Sequence, residues 1–391
     1  MRKIKILRII NRFNIGGPTY NATFLSAFLG DEYETMLVGG LPDEGESDSL
    51  FILDKYGVKP VLIEEMVRKP SLKSDRLAYK RIKQIILDFQ PDIVHTHASK
   101  AGALGRKAAN ACGVPVIVHT FHGHVFHSYF GKLKTTLFKY IERTLAKKST
   151  GIIAISETQK RELCEAYTIC KAEKVRVIPL GFDLTPFHEK AQSQRATVRS
   201  NYGLDDSTIA IAIIGRLAPI KDHSFFFDVI DRVLAQTSKS LRIFIVGDGP
   251  ERNMIEARVA IINEKYDDVI MMTSWIKDIG TFNAGMDLIC LTSKNEGTPV
   301  SLIEAQAANI PVITTNVGGV QDIVDDGETG FIIPPGDLEG YVRSLLDLCE
   351  NENKRINMSQ NGWNFVQEKF QYTTLVRNMD SYYKELLDNI R

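Results

Sequence analysis

Two glutamates eight residues apart, Glu296 and Glu304, bracket a Gly-Thr-Pro loop and the start of a helical pattern, and two cations five residues apart, Arg216 and Lys221, follow an apolar run. Carboxylates accept hydrogen bonds from sugar hydroxyls. A guanidinium offers a fork to phosphate oxygens, and an ammonium offers a mobile point charge. The four together suit a nucleotide sugar held without a metal, with cations on the diphosphate and carboxylates at its two ends. Plainer explanations exist for each pair. Ser301 and Glu304 have the S-x-x-E spacing of a capping box, and Arg216 with Lys221 would equally serve a solvated loop. Neither accounts for Glu296.

Glycines supply the close backbone approach such a ligand needs. Gly16 and Gly17 lie between a strand and a helix pattern, where free amides can meet an anion. Gly297, Thr298, Pro299, Val300 and Ser301 lead into a second helix start of the same kind. Gly247 and Gly249 fit the first half of the dinucleotide fingerprint G-x-G-x-x-G, but Arg252 stands where its third glycine belongs. A Walker A loop is also missing from the sequence, so nicotinamide and ATP-hydrolysing chemistry is disfavoured and no cofactor is expected.

Six of the eight histidines fall between residues 95 and 127: His95, His97, His119, His122, His124 and His127. The H-x-H spacing on a strand turns both rings to one face, so a metal site has to be weighed. No cluster of Asp or Cys accompanies them, and the chain has no D-x-D pair to hold a metal-bound diphosphate. No metal is expected. The five cysteines are scattered, odd in number and without C-x-x-C, which reads as buried small hydrophobes.

The elements that must position these residues are short apolar, β-branched runs, mostly continuous, as in strands buried on both faces of a parallel sheet. One series lies at 4–10, 35–38, 92–97, 115–120, 151–156 and 175–180, a second at 208–214, 241–246, 269–273, 287–292, 311–315 and 331–333. Helical patterns separate them, so the expected class is α/β with two doubly wound domains. At 391 residues the chain is long enough for both. The polar stretch 187–206 reads as their junction, and a last helical pattern near 373–390 belongs to neither series. Glycines and charges collect beyond the carboxyl ends of the strands, where open α/β sheets bind ligands.

No apolar run approaches the ~18 residues of a spanning helix. Arg8, Asn11 and Arg12 interrupt what would be the apolar core of a signal peptide, so a cytoplasmic protein is expected. Net charge is zero, yet residues 1–180 carry 28 basic against 18 acidic side chains, and 181–391 carry 20 against 30. That excess points to an anionic partner surface for the first half. Within 127–148, Lys132, Lys134, Lys139, Arg143, Lys147 and Lys148 alternate with Phe130, Leu133, Leu137, Phe138, Tyr140 and Ile141. This reads either as a helix lying at a membrane surface or as an ordinary helix whose stripe is core.

The ordered set Gly16-Gly17, His122-Gly123, Gly215-Arg216 with Lys221, Gly247-Asp248-Gly249-Pro250, Glu296-Gly297 through Glu304-Ala305, Pro311-Val312 and Gly318-Gly319 resembles the retaining glycosyltransferases of family 4. The stretch from His95 to Gly102 is similar to members that build bacterial surface polysaccharides. The resemblance implies a GT-B fold: an acceptor-side domain over 1–185, a nucleotide-sugar domain over 186–370, and a helix over 371–391 returning to the first, with a cleft between the domains. It implies that Glu304 holds ribose, that Glu296 and His122 touch the transferred sugar, and that Arg216 and Lys221 hold the diphosphate. The expected substrates are a UDP-sugar and a glycan acceptor, lipid-linked, met at the inner membrane face; no nucleic-acid partner is expected. Pro18-Thr19 departs from the family pattern at the first glycine loop. Alternatives are a nucleotide-sugar epimerase of the same fold, a metal-dependent hydrolase built on the histidines, and a sugar-nucleotide sensor without turnover.

Overall fold

A computed structural model of the chain describes residues 2–14, 16–42, 49–67, 71–122 and 132–390. The chain forms two compact units, one of residues 1–182 with 370–391 and one of residues 183–369. The sequence reading placed these passages at 185/186 and 370/371.

The first unit is built on seven strands: β1 (Ile4–Arg12), β2 (Tyr33–Gly40), β3 (Val61–Leu62), β4 (Ile93–His97), β5 (Val116–Phe121), β6 (Gly151–Ala154) and β7 (Val175–Val177). They run in the order β3-β2-β1-β4-β5-β6-β7, every pair parallel. The second unit carries β8 (Ile209–Ile214), β9 (Leu241–Val246), β10 (Ile270–Thr273), β11 (Leu288–Leu291), β12 (Val312–Thr315) and β13 (Gly330–Ile333) in the order β10-β9-β8-β11-β12-β13, again parallel. Parallel order with helical crossovers is the doubly wound Rossmann-like arrangement in both units. Strand order reverses between β1 and β4 and between β8 and β11, and those reversals are where such sheets open a crevice for ligands.

Strand β3 was not anticipated, because two residues at a sheet edge, one half-buried and one exposed, leave no periodicity to read. The stretch expected as the junction is instead a helix, Thr185–Asn201, inside the second unit. Only Val198 and Arg199 of it are buried, so little apolar patterning announces it. Ion pairs fasten it: Arg195 and Arg199 reach opposite oxygens of Asp287 at 2.5 and 3.0 Å.

The C-terminal helix Tyr372–Asp388 packs on the first unit. Leu375, Met379, Tyr382, Tyr383, Leu386 and Leu387 are buried in one cluster with Ile6, Phe24, Ile93, Val116 and Ile153. Each such side chain contributes on the order of 1.5–3 kcal/mol when fully buried, so this helix is part of the first unit's core.

Candidate functional site

In the second unit, β8 runs straight into Gly215, Arg216 and a short 3-10 turn, Pro219–Lys221. β11 runs into Thr292, Ser293 and the loop to Pro299, which starts the helix Val300–Ala307. Because β8 and β11 flank the reversal, the two loops meet. Lys221 Nζ lies 2.5 Å from Glu296 Oε1, and Ser293 Oγ donates to the same oxygen at 2.5 Å. Thr292 Oγ1 donates to the Lys221 carbonyl at 3.0 Å, and Lys294 N donates to the Ile220 carbonyl at 2.8 Å. The ion pair is partly buried, with Lys221 and Glu296 exposing 19% and 12% of their side chains. Arg216, five residues before Lys221 on the same loop, is exposed.

Glycines bring these loops together. A Cβ on Gly247, at φ 143, would overlap the Gly215 carbonyl, and one on Gly249 would overlap the Leu217 carbonyl. Gly318, at φ 55, and Gly319 stand in the same relation to the backbone of Glu296 and Gly297. The turn after β9 therefore supports the Arg216 loop, and the turn after β12 supports the Glu296 loop.

Pro299 is the residue before the helix Val300–Ala307, whose start has no side-chain cap. Ser301 is its second residue, two places inside the N-cap position a capping box requires, so the box does not form. The first amides are left free for an anion. Glu304 lies a turn further on, half-buried, and loss of water around it pushes its carboxyl up to about 7. A carboxyl held that way gains most from ligand hydroxyls that donate to its ionised form.

The first unit differs. Gly16 precedes the helix Gly17–Ala27, which also lacks a side-chain cap. Thr19 N donates to the Gly16 carbonyl at 3.1 Å, as Leu302 N does to the Pro299 carbonyl, but Pro18 has no N–H, so of the first two positions only Gly17 has an amide without a partner among the described residues. This is the physical consequence of the departure at Pro18-Thr19.

Four histidines lie along β4 and β5 or just beyond: His95 and His97 in β4, His119 in β5 and His122 after it. His95 is held at both nitrogens, Nδ1 at 2.6 Å from the Tyr383 hydroxyl and Nε2 at 2.7 Å from Thr120 Oγ1. His119 Nδ1 lies 2.9 Å from Thr96 Oγ1, and His97 Nδ1 lies 2.8 Å from His122 Nε2. Burial holds all four imidazoles neutral, His122 down to about 3 and the others well below their usual value. Among the described residues no group of three His, Cys, Asp or Glu is placed to hold a metal, and His124 and His127 lie outside them.

Comparison with known proteins supplies the family and the fold. Residues 16–185 match the model for Glycosyltransferase Family 4, and residues 194–365 match that for Glycosyl transferases group 1. The chain belongs to the family 4 glycosyltransferases. Over 333 residues, 85% of each chain, the transferase is 28% identical to the UDP-Gal:alpha-D-GlcNAc-diphosphoundecaprenol alpha-1,3-galactosyltransferase of Escherichia coli. It is also 28% identical to the capsular polysaccharide biosynthesis glycosyltransferase CapM of Staphylococcus aureus, over 86% of this chain and 87% of that one. A glycosyltransferase from Rickettsia africae superposes with a TM-score of 0.79 at 21% identity over the whole of both chains. Anabaena HepE in complex with UDP does so with 0.78 at 19%, over 98% of this chain and all of its own. These place the fold as GT-B.

Of the residues expected from sequence, the second unit brings together Arg216, Lys221, Gly247, Gly249, Glu296, Gly297, Thr298, Pro299, Val300, Ser301 and Glu304 on adjoining loops and one helix. Gly16, Gly17 and His122 stand at strand ends of the first unit. Sequence reasoning missed Ser293, which shares Glu296 with Lys221, and Thr315, whose Oγ1 donates to the Ser293 carbonyl at 2.6 Å. A polar residue at or just past the end of a strand was the signal available for both.

Proposed function

We propose that the transferase moves a hexose or N-acetylhexosamine, with retention of anomeric configuration, from a UDP-sugar to a lipid-linked glycan in bacterial polysaccharide biosynthesis. The observation that carries this reading is the Lys221–Glu296 pair at 2.5 Å beyond the ends of β8 and β11. It sets a diphosphate-facing cation against a sugar-facing carboxylate. Arg216, Lys221 and the free amides before Leu302 are fixed charges aimed where a departing diphosphate gathers negative charge. The anomeric carbon loses its bond to the diphosphate oxygen while the acceptor oxygen bonds on the same face. The acceptor's hydroxyl proton passes to the leaving diphosphate. Glu304 takes the ribose hydroxyls, and Glu296 and His122 orient the sugar.

A UDP-sugar donor and a lipid-linked acceptor are supported by the activity of the E. coli relative and the UDP held by HepE. Docking at an anionic membrane belongs to the same reading. On the helix Lys132–Lys148, Phe138 packs inward, whereas Leu137, Tyr140 and Ile141 are 57%, 67% and 36% exposed on one face. Lys147 and Lys148 stand in its last turn. No helix among the described residues is long and apolar enough to cross a membrane.

The test is a panel of nucleotide sugars. The right donor at 100 times its dissociation constant raises stability by about 2.7 kcal/mol, and with a lipid-linked glycan on anionic vesicles it yields elongated glycan. Sugar isomerisation without acceptor would give the site to an epimerase. Donor binding without transfer would make the protein a sensor, and an absence of stabilisation by any nucleotide sugar would refute the reading.

A further inference from the structure

His122 cannot orient itself. It is the last described residue beyond β5, and among the described residues its ring has one hydrogen-bond partner, His97 Nδ1, at 2.8 Å from its Nε2. His97 is fixed in turn from behind. Its ring lies against that of His95 with centroids 4.1 Å apart, and the Tyr383 hydroxyl and Thr120 Oγ1 clamp both nitrogens of His95. The series runs from the C-terminal helix across two strands to the strand end. His97 and His95 are each fully buried.

Two nitrogens of the series have no partner among the described residues although both are buried: His97 Nε2 and His122 Nδ1. Buried polar atoms are rarely left so without a reason. Both rings are neutral, so between them they hold two protons on four nitrogens, and the shared bond uses one proton and one lone pair. One free nitrogen must then be a donor and the other an acceptor, whichever ring donates in the shared bond. His122 Nδ1 therefore offers a defined partner to a hydroxyl, and the tautomer of His97 decides its sense.

We propose that His97 is a positioning residue: through its Nδ1 it fixes the ring plane and tautomer with which His122 meets a hydroxyl of the transferred sugar. This rests on the reading of His122 as a sugar contact. His95 and Tyr383 act one step further back, by holding the His97 ring.

Two substitutions of similar polarity separate positioning from packing. His97→Asn puts its terminal amide near the place of Nδ1, and His97→Gln puts it near the place of Nε2. Transfer is measured with the donor that the nucleotide-sugar panel selects, alongside UDP affinity by calorimetry. The expected result is kcat within about threefold of native for His97→Asn and lowered about tenfold or more for His97→Gln, on the scale of a misplaced contact group. UDP affinity stays unchanged in both, because the nucleotide is held by the other unit. His97→Gln combined with His122→Ala should be no slower than His122→Ala alone. Equal kcat for the Asn and Gln variants, or losses that multiply in the double variant, would overturn the proposal and leave His97 as packing. Full turnover in His122→Ala is a separate outcome. It would remove His122 from the proposed mechanism, and this inference with it, while leaving the diphosphate site of the second unit intact.

Discussion

Two ion pairs, one in each unit, show how differently the two sheets use charge. Arg106 Nη2 meets Glu142 Oε2 at 2.6 Å in the first unit, with the side chains 0% and 8% exposed. Lys221 meets Glu296 at a similar distance in the second, on loops beyond the strand ends. The contrast extends to the strands. In the first unit Arg8, His95, Thr96, His97, His119 and Thr120 are buried within β1, β4 and β5. In the second, β8 reads IAIAII and β11 reads LICL, and the polar groups wait until the strand has ended. A polar core has to be satisfied internally by neutral rings and hydroxyls. A sheet whose two strands at the reversal are apolar leaves the charges beyond their ends free to meet a ligand. On the proposed function, most of the first unit's buried polar residues are architectural, and the second unit's strand-end charges are functional.

If that division holds, breaking the two pairs has effects of different kinds. Glu142→Ala leaves the Arg106 guanidinium buried without its carboxylate, and an uncompensated buried charge costs about 3–5 kcal/mol. Trp275 and Trp363, the two tryptophans of the chain, both lie in the second unit. Urea unfolding followed by circular dichroism should show an early transition, while tryptophan fluorescence keeps its native midpoint. A shift of the fluorescence midpoint equal to that seen by circular dichroism would mean that the units unfold together.

Lys221→Ala or Arg216→Ala should do the reverse. Turnover falls on the order of 100-fold, about 2.7 kcal/mol at the transition state, the usual scale for one preorganised charge, and both urea midpoints stay close to native. Steady-state kinetics beside the same unfolding curves decides this. Near-native turnover in both variants would reduce the Lys221–Glu296 pair to a surface contact.

The sheets were legible because strands buried on both faces must be continuously apolar, and runs such as 208–214 and 287–292 are. Val61–Leu62 was too short and too exposed to leave that trace. The helix Thr185–Asn201 escaped because ion pairs to Asp287, 92 and 88 residues away, hold it in place of an apolar stripe. At the site, strand-end position singled out Lys221 and Glu296, but nothing in the sequence shows that they touch. The H-x-H spacing put His95 and His97 on one face, as found. That His95 is clamped by Tyr383, 288 residues later, depends on where the last helix packs, which no local pattern specifies.

Glu304 offers a smaller effect that is visible in pH. Its carboxyl is raised to about 7 by burial, so the folded protein favours the protonated form as pH falls below that value. Ribose hydroxyls donate to the ionised form. Affinity for a nucleotide sugar, whose diphosphate does not titrate near neutrality, should therefore rise with pH and level off above about 7, dropping toward tenfold per unit below it. Calorimetry at several pH values on native protein and Glu304→Gln checks this. The variant should bind more weakly with a flat profile, and an identical slope in both would assign the titration to another group.

The smallest effect separates true helix caps from an apparent one. Ser156 in the first unit precedes the helix Glu157–Arg161, and its Oγ accepts from Gln159 N at 3.0 Å. Ser71 does the same for Ser74 N at 3.3 Å before the helix Leu72–Phe89. Ser301, despite its S-x-x-E spacing with Glu304, sits inside its helix behind Pro299 and caps nothing. Ser156→Ala and Ser71→Ala should each cost about 1 kcal/mol, read by circular dichroism as an earlier first transition. Ser301→Ala should change stability by less than about 0.5 kcal/mol, read by tryptophan fluorescence in its own unit. A cost near 1 kcal/mol for Ser301→Ala would show that its hydroxyl does satisfy a helix-start amide. That would take from the second unit one of the free donors on which the anion site depends.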